Sequence, residues 1–245
     1  MTNITALIPA RSGSQRVKNK NLKVIEGHPL IAFTISAAIR SNIFDRIVVS
    51  TDSEEIAEIS RYYGAETPNL RKKEFAGISS PDIEWIKESV VDWLKLDIKD
   101  YFAILRPTNP LRKPETIVQA YHLFLKNEDA DSLRAIKRVR EHPGKMWRKS
   151  ENDRINPFIE GINSITKTFN HSSPLQTLEP LWIQDASLEI CKVRNIAETN
   201  SISGNKVVGF EMPEYEGFDL NLIEDFLLLE KLIDVGEVEL DQPVV

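Results

Sequence analysis

A single cysteine, Cys191, stands among 245 residues, so the chain closes no internal disulfide and builds no multi-cysteine zinc site. It sits in an apolar run with only Lys192 close by as a cation, which marks a buried structural thiol rather than a reactive one. No apolar run approaches ~18 residues, which argues against a membrane-spanning helix, and the first eight residues lack the charged start and long apolar core of a signal peptide. The expected address is cytoplasmic. Positive charge is in deficit: 31 Lys and Arg against 37 Asp and Glu leave a net charge of −6, whereas a nucleic-acid-binding domain is usually basic. There is no internal repeat or low-complexity tract, no HExxH helix and no Ser/His/Asp order of a hydrolase. The two commonest phosphate-loop spacings, GxxxxGK[ST] and GxGxxG, are missing as well.

Against that background one stretch stands out. An apolar run over residues 4–8 reads as a buried parallel strand, ended by Pro9 because proline cannot donate to a sheet ladder. Residues 10–21 follow it as a polar loop, Ala10-Arg11-Ser12-Gly13-Ser14-Gln15-Arg16-Val17-Lys18-Asn19-Lys20-Asn21. A loop with one glycine, two hydroxyls and four cations, leaving the end of a strand, suits an anion such as a triphosphate, although a solvated basic loop has the same composition.

The rest of the chain alternates strand and helix signals. Strands are expected at residues 46–50, 101–105, 132–136, 188–193 and 206–210. Helices are expected after Pro29, after Asp52, up to about Leu94, from Pro114 and after Asn221. Asp52 with Glu55, and Asn221 with Glu224, have the spacing of an N-cap and its capping-box partner; Ser80 or Asp82 has the place of a cap for the helix reaching Leu94. Arg106-Pro107-Thr108-Asn109-Pro110-Leu111-Arg112 leaves a strand end between two stiffening prolines, as a base-recognition loop does. Regular period is lost over residues 137–179, and the tail after Val235 is expected to fray.

The opening loop, together with Ser50-Thr51-Asp52-Ser53, Leu70-Arg71, the 106–112 loop, Glu141-His142-Pro143 and Phe218-Asp219-Leu220-Asn221, resembles the ordered motifs of the acylneuraminate (sugar-acid) cytidylyltransferase family over about residues 4–233. The resemblance implies a three-layer α/β/α nucleotidyltransferase fold, Rossmann-like with a mostly parallel sheet. It implies one domain, residues 1–245, with an inserted dimerisation and acceptor lobe at about 137–179. It implies transfer of CMP from CTP to the anomeric hydroxyl of a 3-deoxy-2-keto sugar acid, with Mg²⁺ or another divalent cation, in a homodimer that needs neither nucleic acid nor membrane. By motif position, Arg11, Lys20 and Asp219 would be catalytic. Ala10, Arg11, Ser12, Gly13, Ser14, Lys20, Asn21, Arg71, Ser80, Arg106, Pro107 and Thr108 would bind nucleotide. Arg112, His142 and Lys145 would meet the acceptor, and Asp219 with Asn221 would hold the metal. For Arg112 a surface salt bridge is the rival reading, and for Asn221 a plain helix cap. The chain departs from the commonest pattern at Arg106, Asn109 and Asn221 and in the later half of the lobe. Two alternatives therefore stand: a same-fold nucleotidyltransferase with another acceptor (sugar phosphate, alcohol phosphate or phosphonate), and a non-catalytic nucleotide-binding or assembly protein.

Overall fold

In the computed structural model, which describes residues 2–244, six strands form one sheet. They are β1 (Ile4–Pro9), β2 (Arg46–Ser50), β3 (Tyr101–Leu105), β4 (Ser132–Arg138), β5 (Trp182–Lys192) and β6 (Val207–Glu211), in the order β6-β4-β5-β3-β1-β2. β1 lies parallel to both β2 (Ala6 opposite Ile47) and β3 (Ala6 opposite Ala103), while β5 runs antiparallel to β3. The helices are α1 (Leu30–Ser41), α2 (Glu54–Tyr62), α3 (Asp82–Lys87), α4 (Pro114–Lys126), α5 (Val193–Thr199) and α6 (Ile223–Asp234).

Side chains alternate across a strand, so β1 feeds two cores. Ala6 and Ile8 pack with Ile31 and Ile35 of α1 and Ile117 and Phe124 of α4. Leu7 points to the other face, where Trp85 and Ile86 of α3, Cys191 of β5 and Ile196 of α5 gather with Phe102 and Ile104 of β3. Helices thus cover both faces of a mostly parallel sheet, the expected three layers. Burial pushes the Cys191 thiol well above its ordinary range, as befits an inert core residue.

Several local expectations change. The strand expected at residues 188–193 begins at Trp182 and is 11 residues long, and Val193 opens α5 instead. The helix toward Leu94 is α-helical only to Lys87 and then widens into a π-helical turn, Glu88–Trp93. On α6 only Phe226 and Leu229 are buried, and Leu227 is 60% exposed, so its apolar face is narrower than its composition suggests. The tail docks rather than frays: Leu240, 4% exposed, joins Val17, Phe33, Leu220, Phe226 and Leu229 in a third cluster, and the Val244 N–H donates to Ser36 Oγ at 3.2 Å. Leu240→Ala is expected to cost about 2–5 kcal/mol, seen as a lower urea midpoint; an unchanged midpoint would detach the tail from the core.

The chain divides into two compact units, Met1–Ala135 with Asp185–Val245, and Ile136–Gln184. The second is built of a hairpin, Trp147–Lys149 paired with Ile155–Pro157, and short turns tied by polar side chains such as Asn163, whose Oδ1 accepts from the N–H groups of Ile165 and Thr166. His171 stacks on Phe169, ring centroids 5.4 Å apart, and meets Trp147 at a tilt, 4.6 Å away. Within this unit Trp147, Phe158, Ile165 and Phe169 are all exposed. Among the described residues, no helix is long and apolar enough to cross a membrane.

Candidate active site

The opening loop is anchored residue by residue. Ala10, fully buried, donates its N–H to Ser50 O at 2.9 Å, which fixes the exit from β1 beside the end of β2. Ser12 then donates both its N–H and its Oγ–H to the Asp52 carboxylate, each at 2.8 Å. Asp52 is therefore not the cap of α2; that place belongs to Ser53, whose Oγ accepts from the Ile56 N–H at 3.4 Å. A carboxylate satisfied by two loop donors gives up the helix terminus to the next hydroxyl along. Buried Asn21 returns the loop by donating to Arg11 O at 3.2 Å, and Val17 anchors it in the third apolar cluster. A methyl group on Gly13 would meet nothing within 4 Å, which leaves room above the turn.

Arg11 and Lys20 then face one cleft of about 190 Å³, together with Ser14, Gln15, Arg16, Ile78 and Asn221. Gln15, Arg16 and Ile78 were not assigned from sequence; for Arg16 the signal was its membership of the cation cluster. Arg11 Nη1 donates to the carbonyls of Ala76 and Gly77, at 3.3 and 2.8 Å. Lys20 Nζ donates to Leu220 O at 3.0 Å and Asn221 Oδ1 at 3.3 Å, although the two segments lie 200 residues apart. Burial lowers the Lys20 pKa, Asp219 pulls it back up, and Arg16 and Arg11 lower it further. A larger cavity of about 470 Å³ is lined by Glu214, Glu216, Glu237, Glu239 and Asp241, and acids of that number repel a triphosphate.

Asp219 and Asn221 share this corner. The Asp219 Oδ2 atom accepts from Asn221 Nδ2 at 2.5 Å, while Oδ1 is buried with no hydrogen-bond partner among the described residues. An orphaned carboxylate oxygen beside a basic cleft fits a divalent cation, and Mg²⁺ often takes only one or two carboxylates, completing its shell from phosphates and water. No group of three or more His, Cys, Asp or Glu gathers as a metal cage among the described residues. Asn221 is not the cap of α6. Leu222 holds that position, and Asp225, rather than Glu224, accepts from the N–H groups of both Asn221 and Leu222 at 2.7 Å. The 106–112 loop bolts the corner down: Thr108 O accepts from Leu220 N, and Asn109 Nδ2 donates to Phe218 O.

Other expected contacts lie differently. Arg71 is 5% exposed, donates to Ser50 Oγ and Ser50 O, and lies 4.8 Å from the Trp85 ring; burial pulls its pKa down to about 10. Ser80 caps nothing, since its Oγ donates back to Glu74 O and Pro81 holds the N-cap of α3. Asp82 is inside the first turn, paired with Arg106. Pro107 is buried, and the Thr108 hydroxyl donates to Asn109 Oδ1 at 3.4 Å. Arg112 is neither a surface ion pair nor open to an acceptor. It is wholly buried, donating to Ser187 O, Thr34 Oγ1 and Arg106 O, and burial pulls its pKa down to about 10. In the second unit both His142 nitrogens are engaged, Nδ1 accepting from the Gly144 N–H and Nε2 donating to Glu179 O, so the ring braces its own turn instead of offering an acceptor contact. Lys145 Nζ donates to His171 O at 3.4 Å.

Comparison with known proteins bears on this geometry. Residues 5–153, more than half of the chain, match the family model described as Cytidylyltransferase. The chain is 30% identical over 236 residues, covering 96% of itself and 97% of the relative, to the CMP-N,N'-diacetyllegionaminic acid synthase of Legionella pneumophila. Over 123 residues it is 39% identical to the N-acylneuraminate cytidylyltransferase of Escherichia coli O18:K1:H7, a stretch that makes up 50% of this chain and 28% of that protein. In fold it resembles a CMP:2-keto-3-deoxy-manno-octonic acid synthetase solved with CTP, at a TM-score of 0.67 and 12% identity, over 96% of this chain and 100% of that one. Matched along nearly its whole length, the chain belongs to the cytidylyltransferase family.

Proposed function

We propose that the protein transfers the CMP moiety of CTP to the anomeric hydroxyl of a nonulosonic (3-deoxy-2-keto) sugar acid and releases pyrophosphate. The observation that carries this reading is the convergence of Arg11, Lys20 and Asn221 on one cleft, with the half-satisfied Asp219 carboxylate hydrogen-bonded to Asn221 behind it, in a chain whose relatives are named as a CMP-N,N'-diacetyllegionaminic acid synthase and an N-acylneuraminate cytidylyltransferase. In the transfer the acceptor oxygen bonds to the α-phosphorus, the bond from that phosphorus to the β-phosphate oxygen breaks, and the hydroxyl proton passes to water. Such a displacement needs alignment and charge neutralisation rather than a protein nucleophile. Arg11 offers a planar fork and Lys20 a point charge to the departing pyrophosphate, while Ser14 and the turn's N–H groups hold phosphate oxygens. Asp219, with the side chain of Asn221, would hold Mg²⁺, which when bound neutralises phosphate charge. Use of CTP accords with a cytoplasmic address.

A homodimer is part of the proposal. Exposed Trp147, Phe158 and Phe169 on a small unit with little core of its own favour a self-complementary interface. The test is pyrophosphate release by the purified chain with CTP, Mg²⁺ and a panel of nonulosonic acids, and light scattering at micromolar concentration. Release should need both CTP and a sugar acid. If CTP raises the melting temperature yet no sugar acid yields pyrophosphate, the transfer reading fails, and a monomer with full activity removes the dimer.

A further inference from the structure

Residues 76–82, which lead into α3, are gripped at both ends by arginines from distant parts of the chain. At one end Arg11 Nη1 holds the carbonyls of Ala76 and Gly77. At the other, Arg106 Nη2 lies 2.5 Å from Asp82 Oδ2, and the second Asp82 oxygen accepts from Trp85 Nε1 at 2.8 Å, so the carboxylate is fixed in direction. Between these grips the segment is folded on itself, Ser80 N–H on Gly77 O and Ser80 Oγ on Glu74 O. It has little freedom left to absorb a shift at either end.

Arg106 is itself braced from behind. Glu189, 2% exposed, places Oε1 3.6 Å from Arg106 Nη2, and its Oε2 lies 2.7 Å from Arg134 Nη1. Arg134 Nη2 in turn donates to Ser203 Oγ at 2.6 Å. The row Asp82, Arg106, Glu189, Arg134 alternates in sign, so each charge has an opposite neighbour. Burial pushes the Asp82 carboxyl up, but Arg106 and the Trp85 N–H more than reverse it, and Asp82 ionises below the usual carboxylate range. Both carboxylates meet Arg106 Nη2, so the guanidinium charge is answered within the protein.

We infer that Arg106 is a positioning residue: through its ion pair with Asp82 it fixes residues 76–82, the platform on which the Arg11 guanidinium rests, and so sets where Arg11 meets the nucleotide phosphates. This rests on the cytidylyltransfer reading for the role of Arg11, while the clamp itself is a property of the free protein. Charge at residue 106 matters here, and a neutral amide of similar length does not replace it.

Two measurements test the inference. In the free protein, Arg106→Gln, Asp82→Asn and Arg11→Ala should each raise amide hydrogen exchange over residues 77–82 by about tenfold, with Arg106→Lys close to wild type. In turnover, Arg106→Gln and Asp82→Asn should each lower kcat by roughly 10–100-fold, the range for a misplaced catalytic group, with a smaller change in KM for CTP. Combined with Arg11→Ala, either should add less than about twofold, because the group they position is gone. If Arg106→Gln does not fold, Asp82→Asn carries the test, since it leaves the buried Glu189 paired. Unchanged exchange over residues 77–82, or effects that multiply with that of Arg11→Ala, would overturn the inference. Absence of pyrophosphate release by the wild type would instead sink the transfer reading and leave the exchange result to decide the clamp.

Discussion

Lys20→Ala is expected to cut turnover by roughly 10²–10³-fold, the loss for removing one preorganised charge-stabilising donor, about 2.7–4 kcal/mol. The lysine is well placed for that role. Its Nζ is held by Leu220 O and Asn221 Oδ1, in the corner where Asp219 lies, so the charge is aimed before substrate arrives. Neither partner is a carboxylate, and the ammonium has no direct ion pair among the described residues. Burial lowers its pKa, with Asp219 opposing, which gives the effect a pH signature. Turnover that needs protonated Lys20 falls as pH rises through this lowered value, earlier than for an ordinary lysine. Stability moves the other way: between the lowered folded value and the unfolded one the unfolded chain binds more protons, so this residue's contribution grows with pH there. The check is kcat from neutral to alkaline pH beside the melting temperature of wild type and variant. A folded Lys20→Ala enzyme with full turnover would falsify the assignment.

Asp219→Asn is expected to reduce turnover by about 10³-fold or more, because an amide offers one neutral oxygen where the carboxylate has a spare charged one. The partner residue gives a sharper readout. In the free protein Asn221 Nδ2 donates to Asp219 Oδ2 and Oδ1 accepts from Lys20 Nζ, so Asn221→Asp exchanges a hydrogen bond for a like-charge contact that the Lys20 ammonium offsets only in part, and should lower stability by about 1 kcal/mol. Mg²⁺ should reverse that loss and be needed at lower concentration for half-maximal rate. Thermal melts with and without Mg²⁺ decide the point apart from catalysis. If Mg²⁺ shifts the melting temperature of neither wild type nor Asn221→Asp, and Asp219→Asn stays active, the metal site falls.

How far residues announce their place depends on how local their contacts are. β1 through β3 and α1, α2 and α4 were legible because apolar periodicity and proline placement act within a few residues. β5 hid its length because its first three residues, Trp182 to Gln184, are exposed and the next inward-packed ones, Asp185 and Ser187, are polar though buried at 2% and 0%, so the stretch imitates a surface segment. Capping was misplaced by one residue at Asp52 and Asn221 for one reason: the side-chain oxygen a cap would use accepts from a distant donor, Ser12 40 residues away for Asp52 and Lys20 Nζ 201 residues away for Asn221. In the candidate site, the opening loop and residues 219 and 221 could be named from motifs, yet the Lys20 to Leu220 link and the Arg106 to Asp82 pair join segments that no local spacing relates. Arg112 and His142 carry charge and ring nitrogens that suggested ligands, but Arg112 is buried against Ser187 O, Arg106 O and the Thr34 hydroxyl, and both His142 nitrogens meet main-chain atoms.

The buried thiol in the core has a practical consequence. Because Cys191 is the chain's sole cysteine and is 1% exposed, a cysteine introduced at the surface would be the only group open to a maleimide dye or a nitroxide. A pair of such positions, one in each compact unit, would turn the protein into its own molecular ruler, reporting whether CTP draws the two units together or leaves their spacing alone, with no background label to subtract.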